Sequence, residues 1–162
     1  MSVSLQLRPQ LVAREPEISF DEYPRIAPGE YYALCTSSKV YRDGMFDRWE
    51  VCVSWNMLPS NSCFEPIARN VPMFFSLGEK SQPHAERRSK YFSAWIHANG
   101  GPPCSRDRLS PKIFKGRVAR VQVADTNSAV PYSVVRKILN FETGVTLSFR
   151  SGSQSYIRFG KG

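Results

Sequence analysis

Cationic and aromatic side chains lie close together in one short stretch of this 162-residue chain, which contains Lys39, Tyr41, Arg42, Phe46 and Arg48. Proteins hold single-stranded nucleic acid by placing positive charges along the phosphates and stacking aromatic rings on the bases. The stretch therefore predicts a surface that binds a single strand. The alternative is a set of solvated charges, with the two aromatic rings packed on their own loop.

Further residues of the same two kinds are spread along the rest of the chain. Phe74 and Phe75 are adjacent in an extended segment, so only one of them can face inward. The dense basic run before the predicted helix would oppose the helix dipole, which favours an anionic partner there, either phosphate or protein. The predicted binding set is completed by Arg87, Arg88, Lys90, Arg120, Tyr132, Arg136 and Lys137.

The charge balance points to the same class of partner. The chain has 22 Lys and Arg against 14 Asp and Glu, a net charge of +8. An excess of this size draws a protein to polyanions by long-range attraction. Composition alone also allows a basic protein that binds no polyanion.

Residue patterns for catalysis and metal binding are missing from the sequence. His84, His97 and Cys104 do not have the spacing of zinc ligands. No nucleophile elbow, phosphate-binding glycine loop or pair of carboxylates with a fixed spacing is present. We therefore predict a protein that is not an enzyme and needs neither a metal ion nor another cofactor.

The cysteines and the apolar runs bear on the compartment. The four cysteines form no closely spaced pair, and a chain of this length can build a core without disulfides. No run approaches the ~20 apolar residues that span a bilayer, and the first residues lack the apolar run of a signal peptide. We therefore expect a cytoplasmic protein with reduced thiols and no membrane association.

The order of the predicted elements indicates how these residues are positioned. Alternation and turn signals predict strand, strand, strand, helix, strand, strand, at residues 30–40, 45–58, 67–77, 89–99, 115–125 and 132–143. A helix between strands 3 and 4 is typical of the OB-fold, a five-stranded Greek-key barrel. The last segment could instead be a short helix, because its apolar positions also fit helical spacing.

The second strand has the clearest pattern. Trp49, Val51, Val53, Trp55 and Met57 alternate with polar or small residues. Because successive side chains of a strand point to opposite faces, this series predicts the face that lines the barrel interior. The helical segment 89–99 predicts an amphipathic helix that closes one mouth of the barrel, with Phe92, Trp95, Ile96 and Asn99 on its inner side.

We divide the chain into three parts on these signals. Residues 1–28 form a proline-rich lead-in, residues 29–141 an OB-like barrel, and residues 142–162 a C-terminal extension. In an OB barrel the first and last hairpin loops flank the binding face. This architecture would bring the loop near residue 44 and the loop near Tyr132 to the same surface.

Two motifs resemble a known family. The run IAPGEYYA at residues 26–33, which leads into RWEV at 48–51, and FKGRVARV at 114–121 are similar to strand openings in OB-like single-stranded DNA-binding domains of phages and mobile elements. The resemblance covers about residues 24–139, and the insert at 63–69 and the tail depart from it. It implies single-stranded DNA binding in replication or recombination. For an OB-like barrel of this kind we expect little sequence preference, and homo-oligomers are among the expected states.

A second function is compatible with the same barrel. A mobile element can use such a domain as a protein-interaction module, an inhibitor or adaptor whose positive surface meets an acidic protein partner. The insert at 63–69 and the tail would then be natural contact segments.

Overall fold

A computed structural model of the chain describes residues 16–19, 22–59, 65–106 and 108–143. Most of the predicted lead-in and nearly all of the predicted C-terminal extension lie outside the described residues, as do Cys63 and part of the predicted insert.

Five antiparallel strands and one helix follow one another in the predicted order. The helix lies between the third and fourth strands, which confirms that part of the prediction. The last segment is a strand and not a short helix. The elements are β1 Gly29–Asp43, β2 Arg48–Leu58, β3 Ala68–Gly78, α1 Lys90–Asn99, a 3-10 turn Pro111–Phe114, β4 Val118–Asp125 and β5 Ser133–Phe141.

The strands form one sheet in the order β3-β2-β1-β4-β5. The central strand β1 pairs with β4 over residues 29–34 and with β2 over residues 32–43. Its register shifts at a bulge between Cys35 and Ser37, and a bulge bends a strand and increases its twist. The outer strands β3 and β5 lie close to each other, so the sheet is curled.

The inner face of the curled sheet carries the core. Val51, Val53, Trp55 and Met57 of β2 are fully buried, as the alternation predicted. Trp49 lies on the same face but at its open end, where it is half-buried and its Nε1 donates a hydrogen bond to the carbonyl of Lys80 at 3.1 Å.

Helix α1 packs against β3, β5 and the 3-10 turn. Ser89 caps its N-terminus by accepting a hydrogen bond from the backbone of Phe92, and Gly100 ends it with a φ of 76°, a conformation that glycine adopts without strain. Its buried residues are Tyr91, Trp95 and Ala98. Trp95 is in the core and Ile96 packs against it, as predicted. The inner side is nevertheless rotated toward Tyr91 and Ala98, and Asn99 is exposed.

Aromatic packing explains that rotation. The ring of Tyr91 makes edge contacts with Phe75 and Phe114, and its hydroxyl donates to the carbonyl of Leu109 at 2.5 Å. Trp95 Nε1 donates to the carbonyl of Ser110 at 3.2 Å. These partners come from β3 and from the segment around the 3-10 turn, so the helix sequence alone could not show which side they would cover.

The last residues of the lead-in are attached to β5. Ser133 is fully buried, and its backbone N–H donates to the carbonyl of Pro24 at 3.0 Å. Its hydroxyl accepts a hydrogen bond from the backbone of Ile26 at 2.8 Å. Tyr23 stacks on Tyr132 with ring centroids 4.8 Å apart. The segment before β1 thus covers one side of the last hairpin.

The thiols of Cys35 and Cys52 are buried. Burial raises the pKa of Cys35 to about 12 and also raises the pKa of Cys52, so both remain protonated thiols at neutral pH. Cys104 is exposed at the surface.

Candidate nucleic-acid interface

The bulge in β1 decides which residues of the first hairpin face outward. Before it, Ala33 and Cys35 pair with the inner-face residues of β2. After it, Lys39 pairs with Cys52 and Tyr41 pairs with Glu50, which lie on the outer face. Because directly paired residues share a face of the sheet, the bulge turns Lys39 and Tyr41 away from the core.

The two outward-facing pairs, Lys39 with Cys52 and Tyr41 with Glu50, continue as rows onto the third strand. Cys52 pairs onward with Phe74, and Glu50 pairs with Ser76. The first row across the outer face is therefore Lys39, Cys52 and Phe74. Phe74 is 38% exposed, so its ring is open to contact from outside. Its neighbour Phe75 is buried in the core, and it is the one of the two phenylalanines that faces inward.

The hairpin loop adds an exposed ring and a cation. The carboxylate of Asp43 accepts hydrogen bonds from the backbone N–H groups of Met45, at 2.9 Å, and Phe46, at 3.4 Å. These bonds hold the turn, in which Phe46 is 57% exposed. The guanidinium of Arg48 lies over the Phe46 ring, 4.8 Å from its centroid.

A buried carboxylate fixes the middle of this surface. Glu50 is only 7% exposed. One oxygen accepts a hydrogen bond from the Tyr41 hydroxyl at 2.8 Å, and the other lies 2.7 Å from the Arg48 guanidinium. Burial and the bond to Glu50 raise the pKa of Tyr41, so the phenol stays neutral. Glu50 thereby orients both side chains, and Arg48 compensates its charge.

An open cleft joins this surface to the start of α1. It has a volume of about 410 Å³, and Lys90 stands on its helix side. Lys39 and Lys90 take part in none of the ion pairs found in the described part of the chain, so both ammonium groups are available to an anion. The cleft is lined by Arg48, Glu50, Phe74, Phe75, Ser76, Ser89 and Lys90.

Six of the predicted residues thus share one surface, which we name the cationic face: Lys39, Tyr41, Phe46, Arg48, Phe74 and Lys90. Arg87 and Arg88 are exposed and directly precede Ser89, which lines the cleft, so they extend the charge at its rim. Within this surface rings alternate with cations; the Lys39 ammonium lies 5.3 Å from the centroid of the Tyr41 ring.

Arg42 lies on the other face of the hairpin. It pairs with Trp49 in the register, and its guanidinium lies 5.7 Å from that ring. It also forms an ion pair with Asp47 at 2.7 Å and donates a hydrogen bond to the carbonyl of Lys80. Through these contacts Arg42 connects the hairpin to the loop after β3.

The remaining predicted residues lie on β4 and β5 or just before β5, and none of them lines the cleft. Arg120 forms an ion pair with Glu30 at 2.5 Å, and Arg136 donates to the carbonyl of Asp125 at 3.3 Å. Lys137 is exposed beside Gln122, and Tyr132 is covered on one side by Tyr23. Arg120, Arg136 and Lys137 lie on the other half of the sheet, and we refer to them as the second basic group.

Glu50, Ser76 and Ser89 line the cleft but were not among the residues predicted for the site. For Glu50 a signal was present, because an acid between Trp49 and Val51 on a strand must find a partner if its face is covered. The two serines carry no such signal, since only the approach of α1 to β3 places them on the cleft.

Comparisons with protein-family models and with curated proteins found no match to this chain. Among the described residues, no helix is both long enough and apolar enough to cross a membrane.

Proposed function

We propose that this chain binds single-stranded DNA on its cationic face, without catalysis and with little sequence preference, as an OB-like Greek-key barrel of a phage or mobile element. The helix between strands 3 and 4, the antiparallel order β3-β2-β1-β4-β5 and the approach of β3 to β5 support the barrel. The motif resemblance supports the link to replication or recombination.

The observation that carries the proposal is the meeting of exposed rings and cations on one surface. The rings of Phe46 and Phe74 are open. Arg48 lies over Phe46, Lys90 lines the cleft with Phe74, and Lys39 lies in the same row of the sheet as Phe74. Phe46, Arg48 and Phe74 of this surface lie on the first hairpin loop and on strands 2 and 3, where OB barrels hold oligonucleotides. Stacking and phosphate contacts do not read base edges, so we expect binding that tolerates many sequences.

Salt dependence tests this function directly. We expect a labelled oligo-dT to bind with a micromolar or lower Kd at low salt. The logarithm of the binding constant should then fall against the logarithm of salt concentration with a slope of about −2 to −3.5, the value for three to five phosphate contacts on a single strand. Fluorescence anisotropy over a salt series measures it, with a duplex of the same length as the control. Binding that ignores ionic strength, or a preference for the duplex, would contradict the proposal.

The exposed rings supply a second test. Phe46→Ala and Phe74→Ala should each weaken binding of oligo-dT by about tenfold, because one stacked base contributes roughly 1–3 kcal/mol. Met45→Ala is the matched control, since Met45 is adjacent in the same loop and 84% exposed, and its loss should leave affinity unchanged. The same anisotropy assay measures all three variants. An unchanged Kd in both phenylalanine variants would place the stacking surface elsewhere.

A further inference from the structure

The second half of β1 has a neighbouring strand on one side only. Its pairing with β4 ends at Leu34, and the last backbone bonds on that side join Cys35 to Gly116 and Arg117. Before Gly116 the chain turns away into the 3-10 turn, whose Phe114 is buried in the core. In the described part of the chain, residues 37–43 of β1 therefore pair with β2 alone. An unpaired strand edge is a template for an added strand.

A cleft of about 330 Å³ opens beside this edge. Its walls include Val40 from β1, Leu77 from β3, Ala85 from the following loop, and Leu109 and Pro111 from the segment after α1. Val40 pairs with the fully buried Val51 on the inner face, yet it is 39% exposed. The sheet therefore presents an uncovered apolar position next to the free edge.

The charges around the cleft favour one kind of occupant. Arg108 and His84 are the titratable side chains that line it, apart from the phenol of Tyr91, and no acidic side chain does so among the described residues. Glu79 and Glu86 belong to the same loop as His84 but do not line the cleft. On the outer side of the edge, Lys39 is exposed and free to meet a carboxylate.

We propose that the edge at residues 37–43 accepts an extended acidic peptide from a partner protein by strand addition. Its backbone would continue the line of β4 along β1. Apolar side chains on one side of the peptide would enter the cleft beside Val40, and the alternate acidic side chains would meet Lys39 on the outer side. A second copy of this chain fits less well, because pairing two such edges would bring like-charged Lys39 side chains together.

Two labelled peptides of identical composition test this inference. In one, Glu and Val alternate; in the other, the same residues are grouped in two blocks. We expect the alternating peptide to bind at least about tenfold more tightly, since only it can present one apolar and one acidic side. It should also slow amide hydrogen exchange at residues 37–41. Equal binding of the two peptides, or unchanged exchange at those amides, would overturn the proposal.

Three variants distinguish peptide binding at this edge from a general effect of charge on affinity. Val40→Glu and Lys39→Glu should each reduce binding of the alternating peptide at least about tenfold. The first places a charge among the apolar side chains of the peptide, and the second sets a like charge against its acidic ones. Val130→Glu is the matched control, since Val130 is 71% exposed and lies in the β4–β5 loop; it should bind as the unchanged chain does. A loss in all three variants would overturn the assigned edge. Hydrogen exchange at residues 37–41 should also be measured at rising protein concentration without peptide. If exchange slows there, the edge binds a second copy of the chain, and the peptide proposal is overturned.

Discussion

The double variant Lys39→Glu, Lys90→Glu should bind single-stranded DNA about 100-fold more weakly than the unchanged chain at low salt. Lys39 lies on β1 over the ring of Tyr41, whose hydroxyl bonds to Glu50. Lys90, at the start of α1, lines the cleft with Arg48 and Glu50. A hydrogen bond to a charged group contributes roughly 1.5–3 kcal/mol. At the lower end of that range, which suits exposed side chains, losing two such bonds costs about 3 kcal/mol, or roughly 100-fold in Kd. Anisotropy with labelled oligo-dT measures the loss.

The second basic group provides a control of equal charge. Arg136→Glu, Lys137→Glu lowers the net charge by the same amount, but both residues lie on β5 and neither lines the cleft. We expect less than about a threefold change in Kd for this pair. The salt slope should become shallower only in the first double variant, because phosphate contacts set it. Equal losses in both double variants would show that total charge, and not the cationic face, determines affinity.

Trp55→Ala should lower the free energy of unfolding by about 4 kcal/mol. Trp55 is fully buried on the inner face, paired with Cys35 of β1 on one side and Val71 of β3 on the other. Removing a buried ring loses its transfer free energy and leaves a cavity, which together cost roughly 3–5 kcal/mol. Urea unfolding followed by circular dichroism measures the shift in midpoint at constant slope.

Trp55→Phe is the informative companion. The indole Nε1 of Trp55 is buried and has no hydrogen-bond partner among the described residues. An unsatisfied buried N–H costs roughly 1–3 kcal/mol, so a phenylalanine that removes it should recover part of the cavity cost. We expect a net loss of about 1–2 kcal/mol in the same urea assay. A loss as large as that of the alanine variant would show that the indole N–H stabilises the core.

Local pattern was sufficient for the types and order of the elements. The alternation in β2 is strict because one face of that strand is fully buried, and the turn residues between the segments mark the boundaries. The helix was equally readable from the helical spacing of its apolar residues and from the glycines that follow it. The helix face was not, since Tyr91 and Trp95 bond to carbonyls of Leu109 and Ser110 that lie far along the chain.

The candidate site was likewise predictable from the sequence only in part. Residue types and net charge indicated rings and cations that suit a single strand, and they did so without any coordinates. Which of them share a surface depended on long-range pairing: the bulge after Cys35 turns Lys39 and Tyr41 outward, and the same shift turns Arg42 toward Trp49. A period-2 pattern carries no mark of an inserted residue, so the two arginines of the hairpin could not be separated beforehand. Lys90 likewise reaches the cleft beside β2 and β3 only because α1 packs on β3. Local sequence does not encode that contact.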